Sequence, residues 1–169
     1  MDKSKIDFLM KTLARIDQNM MMANLKASFI MSADIIMIIM LMSNYEAYIK
    51  MYHLNQIMVK TVFFIMMGAS VISLIMSLKI IIAFLASGSV PEMYRSLIYF
   101  GSIKDMSLAE YRDQINKADE NVIIEDHIRQ IHLLSSALHK KYLYINLSIY
   151  FFIAIPATCF FFFFIRLFS

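Results

Sequence analysis

The sequence predicts an all-α membrane protein with three transmembrane helices, an amphipathic N-terminal helix and a small helical cytoplasmic insert between spans two and three. Three observations predict it. Of the 169 residues, 60% are hydrophobic and 17% charged, against roughly 45–50% and 25% in soluble domains. The apolar excess is gathered into three runs, 25–43, 61–86 and 143–165, each about as long as the ~20 helical residues that cross a hydrocarbon core. Lys and Arg fall mostly on one side of those runs.

Residues 1–24 form the first element. Ile6, Leu9, Leu13, Ile16 and Met20 recur at helical spacing, while Lys5, Asp7, Thr12, Arg15 and Asn19 take the other face, the pattern of an amphipathic helix. It should run on into span one and lie on the membrane or pack on the insert. More than twenty largely polar residues precede the first apolar run and no small-residue cleavage site follows it, so that run reads as a span rather than a cleaved signal.

Spans 25–43 and 61–86 make a hairpin over 25–87. They should be helical, because a lone chain in lipid must satisfy its own backbone hydrogen bonds and these runs lack the alternation of a barrel strand. In the insert, 88–142, Pro91 suits the first turn of a short helix through Phe100 that Gly101 would end. Ser107 and Glu110 form a capping-box pattern for a helix through about Lys117. From about Asn121, Ile124, Ile128, Ile131, Leu134, Leu138 and Tyr142 continue one stripe straight into the third span, 143–165, with no breaker before Pro156 and a short tail to 169.

Positive charge is retained on the cytoplasmic side of a membrane. Lys3, Lys5, Lys11, Arg15 and Lys26 precede or open span one, and Arg95, Lys104, Arg112, Lys117, Arg129, Lys140 and Lys141 lie in the insert. Lys50, Lys60 and Arg166 fall on the other side. The expected topology is N-terminus cytoplasmic and C-terminus outside.

The chain reads as a non-enzyme. It has no Walker loop, no dinucleotide-binding glycine fingerprint, no His-Glu-x-x-His and no Gly-x-Ser-x-Gly. His127, His132 and His139 are spaced by five and seven, not by the four that sets two imidazoles on one metal, so no metal site is predicted. Cys159 is the single cysteine, which excludes an internal disulfide. The sixteen methionines supply adaptable packing surface rather than a copper site. With seven basic and eight acidic residues, the 88–142 insert is too balanced to grip a nucleic-acid polymer.

Asp34 is the outlier. It sits near the middle of span one, with no other charged residue from Ala27 to Ser43. A charge at a helix centre costs about 2.5–3.5 kcal/mol on translocon scales, so the carboxyl should be protonated, paired or turned to a polar interior. Lys79 in span two is one candidate partner. The alternative is that Lys79 reaches for the interface while Asp34 bonds to Ser32, Ser70 or Ser73.

Three stretches resemble the transmembrane effector family of Pycsar antiphage defence. They are Asn24-Leu25-Lys26-Ala27-Ser28, similar to that family's Asp-x-Lys-Ala pattern; Tyr99-Phe100-Gly101-Ser102-Ile103 with the following 107–111; and Gln130-Ile131-His132-Leu133-Leu134 leading to Lys140-Lys141-Tyr142. Two positions depart from the pattern: Asn24 stands for the usual acid, and Asp34 brings an acid where a neutral polar residue is expected.

The resemblance implies a bacterial inner-membrane effector coupled to a nucleotide cyclase, activated by cyclic CMP or cyclic UMP on the cytoplasmic side, and causing abortive infection by impairing the membrane. It implies no bound cofactor beyond that activating ligand. A few basic residues and a ring could hold one such nucleotide, and Tyr99, Phe100, Lys104, Arg129 and Lys140 are the candidates. Asp34 and Lys79 are the candidate functional residues within the bilayer. Three helices cannot enclose a water-filled channel, so a homo-oligomer is expected. A competing reading is a small membrane adaptor or scaffold whose insert binds a cytoplasmic protein. A transporter subunit is a third, against which the lack of an inverted repeat argues.

Overall fold

The computed structural model describes residues 3–51, 56–86 and 95–168. Among these every regular element is an α-helix: α1 (Lys3–Ser43), α2 (Tyr45–Met51), α3 (Gln56–Ala86), α4 (Phe100–Ile103), α5 (Leu108–Lys117) and α6 (Glu120–Phe168). The amphipathic segment and the first apolar run are one helix of 41 residues. Two helices, Ser4–Ser43 and Gln56–Ile82, are long and apolar enough to cross a membrane. The 44–60 stretch between the first two apolar runs carries the seven-residue α2 and the first turn of α3.

The chain divides into two compact units, one of residues 1–22 with 82–140 and one of 23–81 with 141–169. In the first, Ile16 and Met20 of α1 pack on Ala137 of α6, with Ile131, Leu134 and Leu138 around them. These are the stripes whose helical spacing is visible in the sequence. α5 begins as its pattern requires, with Ser107 Oγ accepting the Glu110 N–H at 3.2 Å. α6 begins at Glu120, where Asp119 Oδ1 accepts the Val122 N–H at 2.8 Å, satisfying a donor that a helix start leaves open.

The expected short helix from Pro91 to Phe100 is not what forms. Its first residues, 91–94, lie outside the described residues. Arg95 to Tyr99 are not helical, α4 starts at Phe100, and Gly101 lies inside α4 rather than ending a helix. The reason is local competition for backbone donors. Ser96 Oγ accepts the N–H groups of Ile98 and Tyr99, at 3.2 and 2.9 Å, and Asp126 Oδ2 accepts that of Leu97 at 2.8 Å. Side-chain oxygens take the bonds a helix would have made.

In the second unit the buried residues of α1 are Ala23, Ala27, Ile30, Asp34 and Leu41; of α3, Val59, Met66, Ser70, Ser73, Ser77 and Ile80; and of α6, Lys141, Ile145, Ser148 and Ile155. Spacings of three, four and seven put each set on one helix face. Leu41, Met66 and Ile155 form an apolar core, with Met37, Val62, Phe63, Met67 and Ala69 against it. Outward lie large apolar side chains such as Phe29, Ile36, Ile39, Ile65 and Ile72. The unit is thus polar at part of its centre and apolar outside, the inverse of a soluble fold. α6 continues through Pro156, which removes one backbone donor there.

Candidate functional site

Among the described residues two polar centres are buried, one in each unit. In the unit of 23–81 and 141–169 the three long helices meet at serines. Ser73 Oγ donates to Asp34 Oδ2 at 2.7 Å and lies 3.2 Å from Ser148 Oγ. Ser77 Oγ is 2.6 Å from the same Ser148 Oγ, and Ser148 Oγ also reaches the Ser73 carbonyl at 3.0 Å. Ser70 turns back to the Met66 carbonyl of its own helix, 3.0 Å away. Asp34 is 0% exposed, and its Oδ1 has no hydrogen-bond partner. Small side chains let the helix backbones approach and hydroxyls link them.

Lys79 does not pair with Asp34. It is exposed, with Nζ over the Tyr144 ring at 5.9 Å from the centroid, and its long stem lets the ammonium leave the apolar centre. The hydroxyl of Ser73 stands where the countercharge could have been. Elsewhere in the unit, Lys141 is 1% exposed and donates to Asn24 Oδ1 at 2.6 Å. Burial holds its ammonium below the usual lysine range. Lys26 lies over the Tyr142 ring at 5.9 Å. Two of the three recognisable stretches, 24–28 and 140–142, therefore touch each other.

In the unit of 1–22 and 82–140, Asp126 is 1% exposed. Its Oδ2 takes the Leu97 N–H and the Ser96 hydroxyl, the latter at 3.1 Å, and its Oδ1 is unpartnered. Gln130 Nε2 donates to Ser96 Oγ at 3.2 Å, and Tyr111 OH donates to the Leu97 carbonyl at 3.1 Å. Arg95 pairs with Glu110. The segment 95–99 is thereby held against α6 and α5.

The expected ligand residues are only partly gathered. Tyr99 and Phe100 stack at 4.9 Å between ring centroids, Tyr99 half-buried and Phe100 exposed. Gly101 lies close to the Tyr99 ring: a Cβ on it would meet Tyr99, with Cζ at 2.9 Å, and the ring would have to shift. Lys104 is exposed at the C-cap of α4. Arg129 and Lys140 are exposed on α6, eleven residues and so about 16 Å apart along the axis. That is too far for both to hold one phosphate, and Arg129 already meets Glu125 at 3.0 Å. Among the described residues, no group of three or more His, Cys, Asp or Glu could hold a metal ion.

Sequence reasoning found Asp34 and named Ser73 among its possible partners. It missed Ser77, Ser148, Lys141, Asp126 and Ser96 as buried polar groups. The signal for the first three was present: each falls on the inward stripe of its helix at spacings of three, four or seven. Asp126 shares a stripe with Gln130, Ala137 and Lys141, whereas nothing in the local sequence marks Ser96.

A family model described as the Pycsar effector protein domain matches residues 8–168. No curated protein and no solved structure matches the chain.

Proposed function

The chain belongs to the family of Pycsar effector protein domains, and on that premise we propose that it is an antiphage-defence effector that senses a cyclic pyrimidine mononucleotide and impairs the bacterial inner membrane. The observation that carries the reading is the extent of the family match, which runs over both apolar helices and the whole of 95–140. The apolar exterior and polar centre of the unit formed by 23–81 and 141–169 support a membrane role.

In this reading 143–165 of α6 is a third span, the N-terminus is cytoplasmic and the C-terminus periplasmic. Cyclic CMP or cyclic UMP from a partner cyclase binds the cytoplasmic region, with Tyr99, Phe100 and Lys104 as the first contacts to test. The protein is not an enzyme, and several copies assemble. Moving such an assembly from 1:99 to 99:1 requires about 5.5 kcal/mol of differential binding, which several ligands can supply together.

The test is expression in bacteria carrying a potential-sensitive dye, with a panel of cyclic nucleotides supplied. Depolarisation by one pyrimidine nucleotide and not by purine ones is expected. Full retention of potential with every nucleotide would overturn the reading.

A further inference from the structure

We propose that the buried cluster of Asp34, Ser73, Ser148 and Ser77 is an intramembrane proton site and that the species crossing the impaired membrane is the proton. This rests on the reading that the chain impairs a membrane, and it specifies what passes.

The carboxyl of Asp34 lacks a balancing charge. Asp34 Oδ2 has one donor, Ser73, and Oδ1 has none. An ionised carboxylate in that state is an uncompensated charge at the centre of a span. Each of the three long helices carries a lysine whose contacts lie away from Asp34. Lys26 of α1 lies over Tyr142, Lys79 of α3 lies over Tyr144, and Lys141 of α6 donates to Asn24. Among the described residues no fixed cation pairs with Asp34, so a mobile cation must neutralise it.

The surroundings of Asp34 suit a proton better than a metal ion. A divalent ion such as Ca²⁺ wants about six to eight oxygens converging on it. Here the hydroxyls face one another and the helix carbonyls, while one carboxyl oxygen stands bare. A single bare oxygen is a place for one proton. A serine hydroxyl donates and accepts at once, so the contacts Asp34 Oδ2 to Ser73 Oγ, Ser73 Oγ to Ser148 Oγ and Ser148 Oγ to Ser77 Oγ, at 2.7, 3.2 and 2.6 Å, form a row along which a proton can move. Each oxygen takes one proton and releases its own; only O–H bonds form and break, and no other reactant is needed.

Ser73 and Ser77 are one turn apart, about 6 Å of a ~30 Å core. Water must therefore reach the row from both faces for conduction, and that access is the step ligand binding would control.

The test uses the full chain in liposomes holding a pH-sensitive dye or, separately, calcein, with a potassium potential imposed and cyclic nucleotides added. The expected result is proton entry without calcein release. Asp34→Asn should lower the proton flux on the order of a hundredfold, the scale of losing a proton-transfer group. Asp34→Glu should retain part of it, and Ser148→Val should lower it with Asp34 intact. Insertion and helicity of each variant are checked by flotation and circular dichroism. Calcein release at the rate of proton entry, potassium flux without protons, or an Asp34→Asn protein that conducts like the parent would overturn the proton site while leaving membrane impairment standing. Liposomes tight to every species with every nucleotide would overturn the functional reading as well.

Discussion

Asp34 and Asp126 are both buried acids on long helices, each with one oxygen bonded and the other bare, but they hold different things. Asp126 accepts a main-chain N–H, that of Leu97, together with the Ser96 hydroxyl that in turn caps Ile98 and Tyr99. Asp34 accepts only the Ser73 hydroxyl, and that hydroxyl has the Ser148 carbonyl within 3.1 Å as another acceptor. Removing Asp126 leaves the Leu97 N–H without its acceptor and frees the Ser96 hydroxyl that caps its neighbours; removing Asp34 leaves a hydroxyl with a second partner. One carboxyl is part of the fold and the other is an addition to it.

Asp126→Ala should have the largest effect. Two bonds to its carboxyl are lost and the Leu97 N–H is left without its acceptor, at a cost of about 1–3 kcal/mol, so melting should fall and amide exchange at 97–99 should accelerate sharply. An unchanged melt with unchanged exchange would erase the contrast between the two acids. Asn24→Leu comes next, because it takes an acceptor from the buried Lys141 at a cost of about 1–3 kcal/mol. Lys141→Met in the same chain should restore most of the loss, as replacing both partners by apolar groups does. A double-mutant cycle with no coupling would contradict that pairing.

Lys141 also gives a sign to pH. Its folded value is lowered, so between that value and the ordinary 10.5 the unfolded chain binds more protons. Stability should therefore rise with pH across that window, the cost of the buried charge being fully present below it. Lys141→Met should flatten the rise in a melt-versus-pH series. A smaller effect is expected for Gly101→Ala, about 1–2 kcal/mol for displacing the Tyr99 ring. A fluorescence or exchange change confined to 99–111 would locate it, and a change spread over both units would refute it.

Much of the helical framework was legible in the sequence, because its signals are periodic. The Ile16, Met20 and Leu134 stripes, the Ser107 cap and the run of α6 into the last apolar segment each follow from spacing alone. Asp34 was legible because a charge in an apolar run is conspicuous. Ser148 was legible only through its place on the inward stripe of α6, since a serine in an apolar run is otherwise unremarkable. The non-helical 95–99 segment was misread for a related reason. Pro91 and Gly101 suggest a helix locally, but the acceptor that wins the backbone, Asp126, is 29 residues from Leu97, beyond the reach of any local pattern.

The division of labour between the two acids is tested most directly by Asp34→Asn, with melting and ligand-triggered depolarisation measured on one preparation. The account predicts a melt within about 1 kcal/mol of the parent, since removing a buried ionisable group without breaking its bond costs little, together with loss of the depolarisation. A chain that melts far below the parent, or one that depolarises as fully as the parent, would contradict it.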